Sequence, residues 1–113
     1  QPFARCAAGV AGFEALLPLL LELVSGGVPL ARAIAAVTSG PAAVLGGGGR
    51  IAVGALADLC VLQPDRDWIV GNDTWHSAGA CTPVWGRALR GRVARTLLGG
   101  RTVYRLEETA HGR

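Results

Sequence analysis

The sequence predicts an α/β chain in two parts, a helical front half followed by a small antiparallel β back half. Three observations carry this reading. Up to Gly46 the apolar residues recur at helical spacing. After the glycine run at 46–49 the pattern changes to short β-prone stretches. Near the end, "VARTLLGGRTVYR" sets two such stretches on either side of Gly99-Gly100, the signature of a tight hairpin.

Taken in order, residues 1–12 carry Pro2, Gly9 and Gly12 with no periodicity and read as a loop. "EALLPLLLELV" (14–24) is apolar on most faces and reads as a buried helix. Pro18 is tolerated only in a first turn, so this helix starts late or kinks there. Glu14 at its start suits the positive end of the helix dipole, and Gly26-Gly27 closes it. "VPLARAIAAVTSG" predicts a second helix, with Pro29 near its first position and Leu30, Ala33, Ile34 and Val37 on one stripe. "SGPAAVLG" predicts a short third, capped by Ser39, begun by Pro41 and ended by Gly46. Strands are expected at 50–53, 58–62, 68–70, 92–98 and 101–104, with Pro64 stopping the apolar run Leu59-Cys60-Val61-Leu62. Residues 71–91 read as a long loop.

Composition narrows the function classes. At 113 residues the chain is one domain at most, and a hydrophobic content of 50% excludes a disordered chain. The net charge is +3, but the eleven arginines are spread along the sequence with few aromatics between them, which reads as a solvated surface and not a nucleic-acid face. Cys6, Cys60 and Cys81 are far apart with no Cys-x-x-Cys pair, as expected of buried free thiols in a reducing cytoplasm. The apolar stretch 15–24 is too short for a membrane span and contains Pro18 and Glu22. A start at Gln1 is expected for the tail of a longer protein.

The chemistry-bearing residues do not assemble into a catalytic set. His76 sits in a loop and His111 in the polar tail, and neither has acidic or cysteine partners at ligand spacing. Ser77 has no base nearby in sequence. Asp58, after the Gly54 turn, is expected to accept turn amides. Asp65 and Asp67, flanking Arg66, read as a charged turn. The glycine run fits neither a dinucleotide fingerprint nor a lysine-bearing phosphate loop.

Read in order, four blocks carry a resemblance. They are "PFARCAAGVAGFEALLPLLLELV", "TSGPAAVLG", "GRIAVGALADLCVLQPDRDWIV" and "HSAGACTPVWGRALRGRVARTLLGGRTVY". Together they resemble the C-terminal end of the dihydroorotases, cyclic amidohydrolases of the amidohydrolase superfamily. The third block alone marks only the superfamily, which includes hydantoinases and allantoinases. The resemblance implies the C-terminal part of a TIM-barrel hydrolase. Residues 1–46 would be the terminal loop and helices of a (β/α)8 metal-dependent barrel. Residues 47–106 would be strands of a composite β-sandwich, and 107–113 a polar tail.

The activity so implied is the reversible cyclisation of N-carbamoyl-L-aspartate to dihydroorotate in pyrimidine biosynthesis. Zinc would activate a hydroxide in the parent protein. No metal or catalytic residue is expected in this stretch, which has no lysine and no histidine in a matching motif, so alone it should not catalyse. The resemblance carries over one substrate contact, the backbone of Ala8 and Gly9. It also implies a small-molecule substrate and a homo-oligomer. Thr82, Pro83, Gly86 and Gly91 follow the pattern. Cys81 stands where asparagine is usual, and Val84-Trp85 replaces a phenylalanine-led pair. These departures leave open an inactive dihydroorotase-like partner of aspartate carbamoyltransferase, or another cyclic amidase of hydantoinase or allantoinase type. The isolated stretch is expected to expose Leu16, Leu17, Leu20 and Leu23 and to associate.

Overall fold

The computed structural model describes residue 5 and residues 9–107. A 3-10 turn, Phe13–Ala15, leads into α1 (Leu16–Ser25), followed by α2 (Leu30–Val37) and α3 (Ser39–Leu45). Strands β1 (Leu59–Ile69), β2 (Ala88–Leu98) and β3 (Arg101–Arg105) form one antiparallel sheet in the order β1-β2-β3. The helical front and β back of the sequence reading are both present.

The helices obey their local signals with one exception. α1 begins only at Leu16, which leaves Pro18 in the first turn where its missing N–H costs nothing. It ends on Gly26 and Gly27, whose amides return to Glu22 and Val24 carbonyls at 3.0 Å. Pro29 precedes α2 as its cap. The exception is Ser39, which lies inside α3. Thr38 holds the cap position and turns its hydroxyl back to the Ile34 carbonyl at 2.7 Å.

The sheet departs further. Residues 50–53 form no strand, because no neighbouring strand pairs with them, and Ile51 and Val53 stand in solvent. The two strands expected at 58–62 and 68–70 are one, and Pro64 does not stop it. Gln63 pairs with Arg92 and Asp67 with Arg90, so Pro64, Asp65 and Arg66 face the single residue Gly91 across a bulge. A proline has no N–H for the ladder, and the bulge removes it from register. Asp65 and Asp67 are therefore strand residues and not a turn. Both approach Arg90, at 3.3 and 3.9 Å, in exposed pairs worth little to stability.

Gly91 also seats α1 on the sheet. Its φ is +100°, and a Cβ there would fall on Leu21 Cδ1 of α1. Its carbonyl accepts the indole N–H of Trp68 at 3.0 Å. The main core cluster lies alongside, with Ala15, Trp68, Val70, Trp75, Val84 and Leu89 buried together. The 71–87 loop joins this core and extends the ladder, since Val70 N–H donates to Arg87 O and Gly86 N–H to Val70 O.

The cysteines differ from expectation. Cys60 and Cys81 are free but exposed, and Cys6 lies outside the described residues. Cys60 and its neighbour Val61 are both exposed on an edge strand, which the apolar run around them disguises. On α1, Leu16 and Leu23 are about half exposed as expected, whereas Leu20 is buried. Leu17 is intermediate.

Gly91→Ala is expected to destabilise the chain by about 1–3 kcal/mol through its positive φ. Urea unfolding in dilute solution, read by the buried Trp68 and Trp75, measures this. Gly71→Ala, with open space around its Cα, should shift the midpoint little.

Candidate functional site

The segment leading into α1 and the loop that follows β1 lie side by side. Two contacts join them at one end. The Ala11 N–H donates to the Cys81 carbonyl at 2.8 Å, and the Cys81 thiol reaches the Gly9 carbonyl at 3.9 Å. At the other end the Glu14 carboxylate accepts the His76 N–H at 3.0 and 3.1 Å and the Ser77 N–H at 2.6 Å. Between these ends, the Trp75 indole donates to Gly79 O at 2.8 Å and stiffens the loop.

Glu14 thus does more than face a helix dipole. Because the 3-10 turn precedes α1, its side chain projects across to amides 62 and 63 residues away. Partial burial raises its pKa, but the Ser77 side chain, the two amides and the His76 charge outweigh this and hold the carboxyl below its ordinary value. Ser77 serves here as a tether of the carboxylate.

A cleft of about 540 Å³ opens beside this junction, between the start of α1, the 74–77 loop and one sheet face. Glu14, Leu17, Trp68, His76, Arg92 and Tyr104 are among its lining residues. The Glu14 carboxylate and the Arg92 guanidinium on its wall already have partners. Arg92 lies over the Trp68 ring at 4.8 Å and donates to Thr74 O at 3.2 Å. The His76 ring meets Tyr104 edge-on at 5.8 Å. Such a cleft can seat an apolar surface. His76, Ser77 and Tyr104 line it together.

Of the residues singled out from sequence, Gly9 is exposed with φ +85°, and Ala8 and His111 lie outside the described residues. Asp58 plays a structural part, accepting the Gly99 N–H at 2.7 Å while Ala57 O accepts that of Gly100. The hairpin turn is thereby tied to the joint before β1. Among the described residues no three His, Cys, Asp or Glu side chains stand together in a way that could hold a metal. No helix there is long and apolar enough to cross a membrane. The junction made by Glu14 escaped sequence reasoning, since its partners are backbone amides distant in sequence and carry no residue signature.

The lowered Glu14 pKa gives stability that is present above its ordinary value of 4.5 and lost as pH falls through the folded value. The stability gap between wild type and Glu14→Gln should therefore be full near pH 7 and close on acidification. Urea midpoints measured from pH 7 down to about pH 3, which spans the ordinary carboxylate range, would show it. A gap independent of pH would contradict the junction.

Comparison with known proteins fits this architecture. The chain is 38% identical over 109 residues to a dihydroorotase of Anaplasma phagocytophilum (strain HZ), covering 95% of this chain and 24% of that protein. It is 41% identical over 101 residues to a dihydroorotase-like protein of Pseudomonas aeruginosa, covering 88% of this chain and again 24% of the relative. The chain thus spans about a quarter of the length of these curated relatives. A solved D-hydantoinase structure superposes with a TM-score of 0.78 at 26% identity, over 89% of this chain and 23% of that one. The amidohydrolase family model matches residues 7–103, and the chain belongs to the amidohydrolase family.

Proposed function

We propose that this chain is the C-terminal portion of a dihydroorotase, which in its whole form interconverts N-carbamoyl-L-aspartate and dihydroorotate by closing and opening the ring amide. The observation that carries the reading is the 34–40% identity to dihydroorotases over most of the chain. In this reading residues 1–46 are the terminal loop and helices of a (β/α)8 barrel. Residues 47–106 contribute strands to a composite β-sandwich, and 107–113 form its polar tail.

Three features support that division. Phe13, Leu16 and Leu23 expose apolar surface around the start and outer side of α1, as a helix covered by other elements would. β1 and β3 are both edge strands, with β2 as their shared partner among the described residues, and open edges accept further strands. The radius of gyration, 16.3 Å, also exceeds the roughly 13 Å typical of a self-contained domain of this length.

The described residues do not fit a zinc ion, because no ligand set of three gathers among them. The zinc this reading calls for belongs to other parts of the parent protein, and the part played here is substrate positioning. The Gly9 carbonyl and the backbone that follows it offer hydrogen-bonding groups on an exposed loop that Cys81 contacts; Ala8, the other expected contact, lies outside the described residues. Backbone groups serve whatever the side chain, which is why alanine at position 8 is compatible with the role.

A second reading, an inactive dihydroorotase-like partner of aspartate carbamoyltransferase, is favoured by the 41% identity to a protein named dihydroorotase-like. Hydrolysis of dihydroorotate by the whole parent protein, with its zinc content, separates the two. Turnover with bound zinc, abolished by chelation, is expected. A folded, zinc-free and inactive parent that co-purifies with a transcarbamoylase would establish the second reading.

A further inference from the structure

The segments 9–14 and 76–81 are pinned to each other at both ends. The Ala11–Cys81 and Gly9–Cys81 contacts close one end and the Glu14 carboxylate on the His76 and Ser77 amides closes the other. We propose that Glu14 is a positioning residue for the substrate-facing Gly9 loop: it anchors the 76–81 loop, and Cys81 at the far end of that loop holds the backbone of Gly9 and Ala11. This rests on the reading of Gly9 as a substrate contact given above.

The argument is one of constraint. Gly9 to Gly12 has no helix or strand to fix it. Around Gly9 a Cβ would meet nothing within 4 Å, so side-chain packing holds this segment only further on, at Ala11, which lies against the core cluster. Among the described residues, the hydrogen bonds that reach this segment from afar both come from Cys81. Cys81 is itself exposed, and the chain behind it is held by the Trp75–Gly79 bond and by Glu14. Charge-assisted bonds to a carboxylate are stronger than neutral ones, which makes Glu14 the firmest tie in the ring. Its neutral isostere keeps one oxygen for the two amides that meet Oε1, but loses the charge and the second oxygen's contact with the His76 amide.

The test uses the whole parent protein, with kinetics and backbone hydrogen exchange measured on wild type, Glu14→Gln, Glu14→Asp and Gly9→Ala. Glu14→Gln should raise KM for dihydroorotate about five- to tenfold, the effect of one lost charge-assisted hydrogen bond, with kcat changed less than about twofold. Exchange at Ala11 should quicken. Glu14→Asp, which keeps the charge on a shorter stem, should recover part of the KM, and it decides the matter if the Gln variant does not fold. Combining Glu14→Gln with Gly9→Ala should raise KM by less than the product of the single effects. A lowered melting temperature with unchanged KM would reduce Glu14 to a structural tie and overturn the proposal. A wild-type parent without turnover would overturn the dihydroorotase reading instead. In that case unchanged exchange at Ala11 in Glu14→Gln would independently overturn the anchor.

Discussion

The structure depends on the seating of α1 on β2 at Gly91. The close approach of Leu21 leaves no room there for a side chain, and the backbone takes a left-handed angle. The bulge at Pro64 and the Trp68–Gly91 bond are consequences of the same crossing. A helical half and a β half with no shared periodicity become one body through this contact, the burial of Ala15 with the sheet-side core, the Ala11–Cys81 bond, the Arg87–Glu22 pair at 3.0 Å and the Glu14 junction. The ion pair is exposed and adds little, so packing and the Glu14 carboxylate carry the connection.

That connection places the loop at 9–12 beside the loop at 76–82, two pieces without helix or strand. Loops held by rigid elements are where binding groups usually sit. The rest of the molecule serves as support. The Asp58–Gly99 bond locks the closing hairpin, and the tryptophan-rich core under the 71–87 loop fixes its path without helix or strand. Trp68 and Trp75 each bury a large ring while their N–H groups find backbone carbonyls.

Much of this was legible from residue order. Helix ends at Gly26 and Gly46, the late start of α1 before Pro18, and the Gly99-Gly100 hairpin follow from local chemistry that packing does not override. The strand through Pro64 was not legible, because a bulge depends on what lies opposite, and Gly91 reads as an ordinary turn residue until its partner is known. The exposure of Cys60 was hidden for the same reason: an apolar run does not say which of its faces has a neighbour. The site is less legible still. Gly9 was marked by resemblance, whereas Glu14 acts on backbone amides that no motif records.

Among the described residues eight hydrophobic side chains are buried while eighteen large ones remain exposed, and in the proposed reading the outer face around α1 meets the rest of a longer amidohydrolase. Sedimentation of the 113-residue chain across a range of concentrations tests this most directly. Self-association is expected, weakening when Phe13, Leu16 and Leu23 are replaced by serine. A chain that stays monomeric at every concentration and melts cooperatively would contradict it.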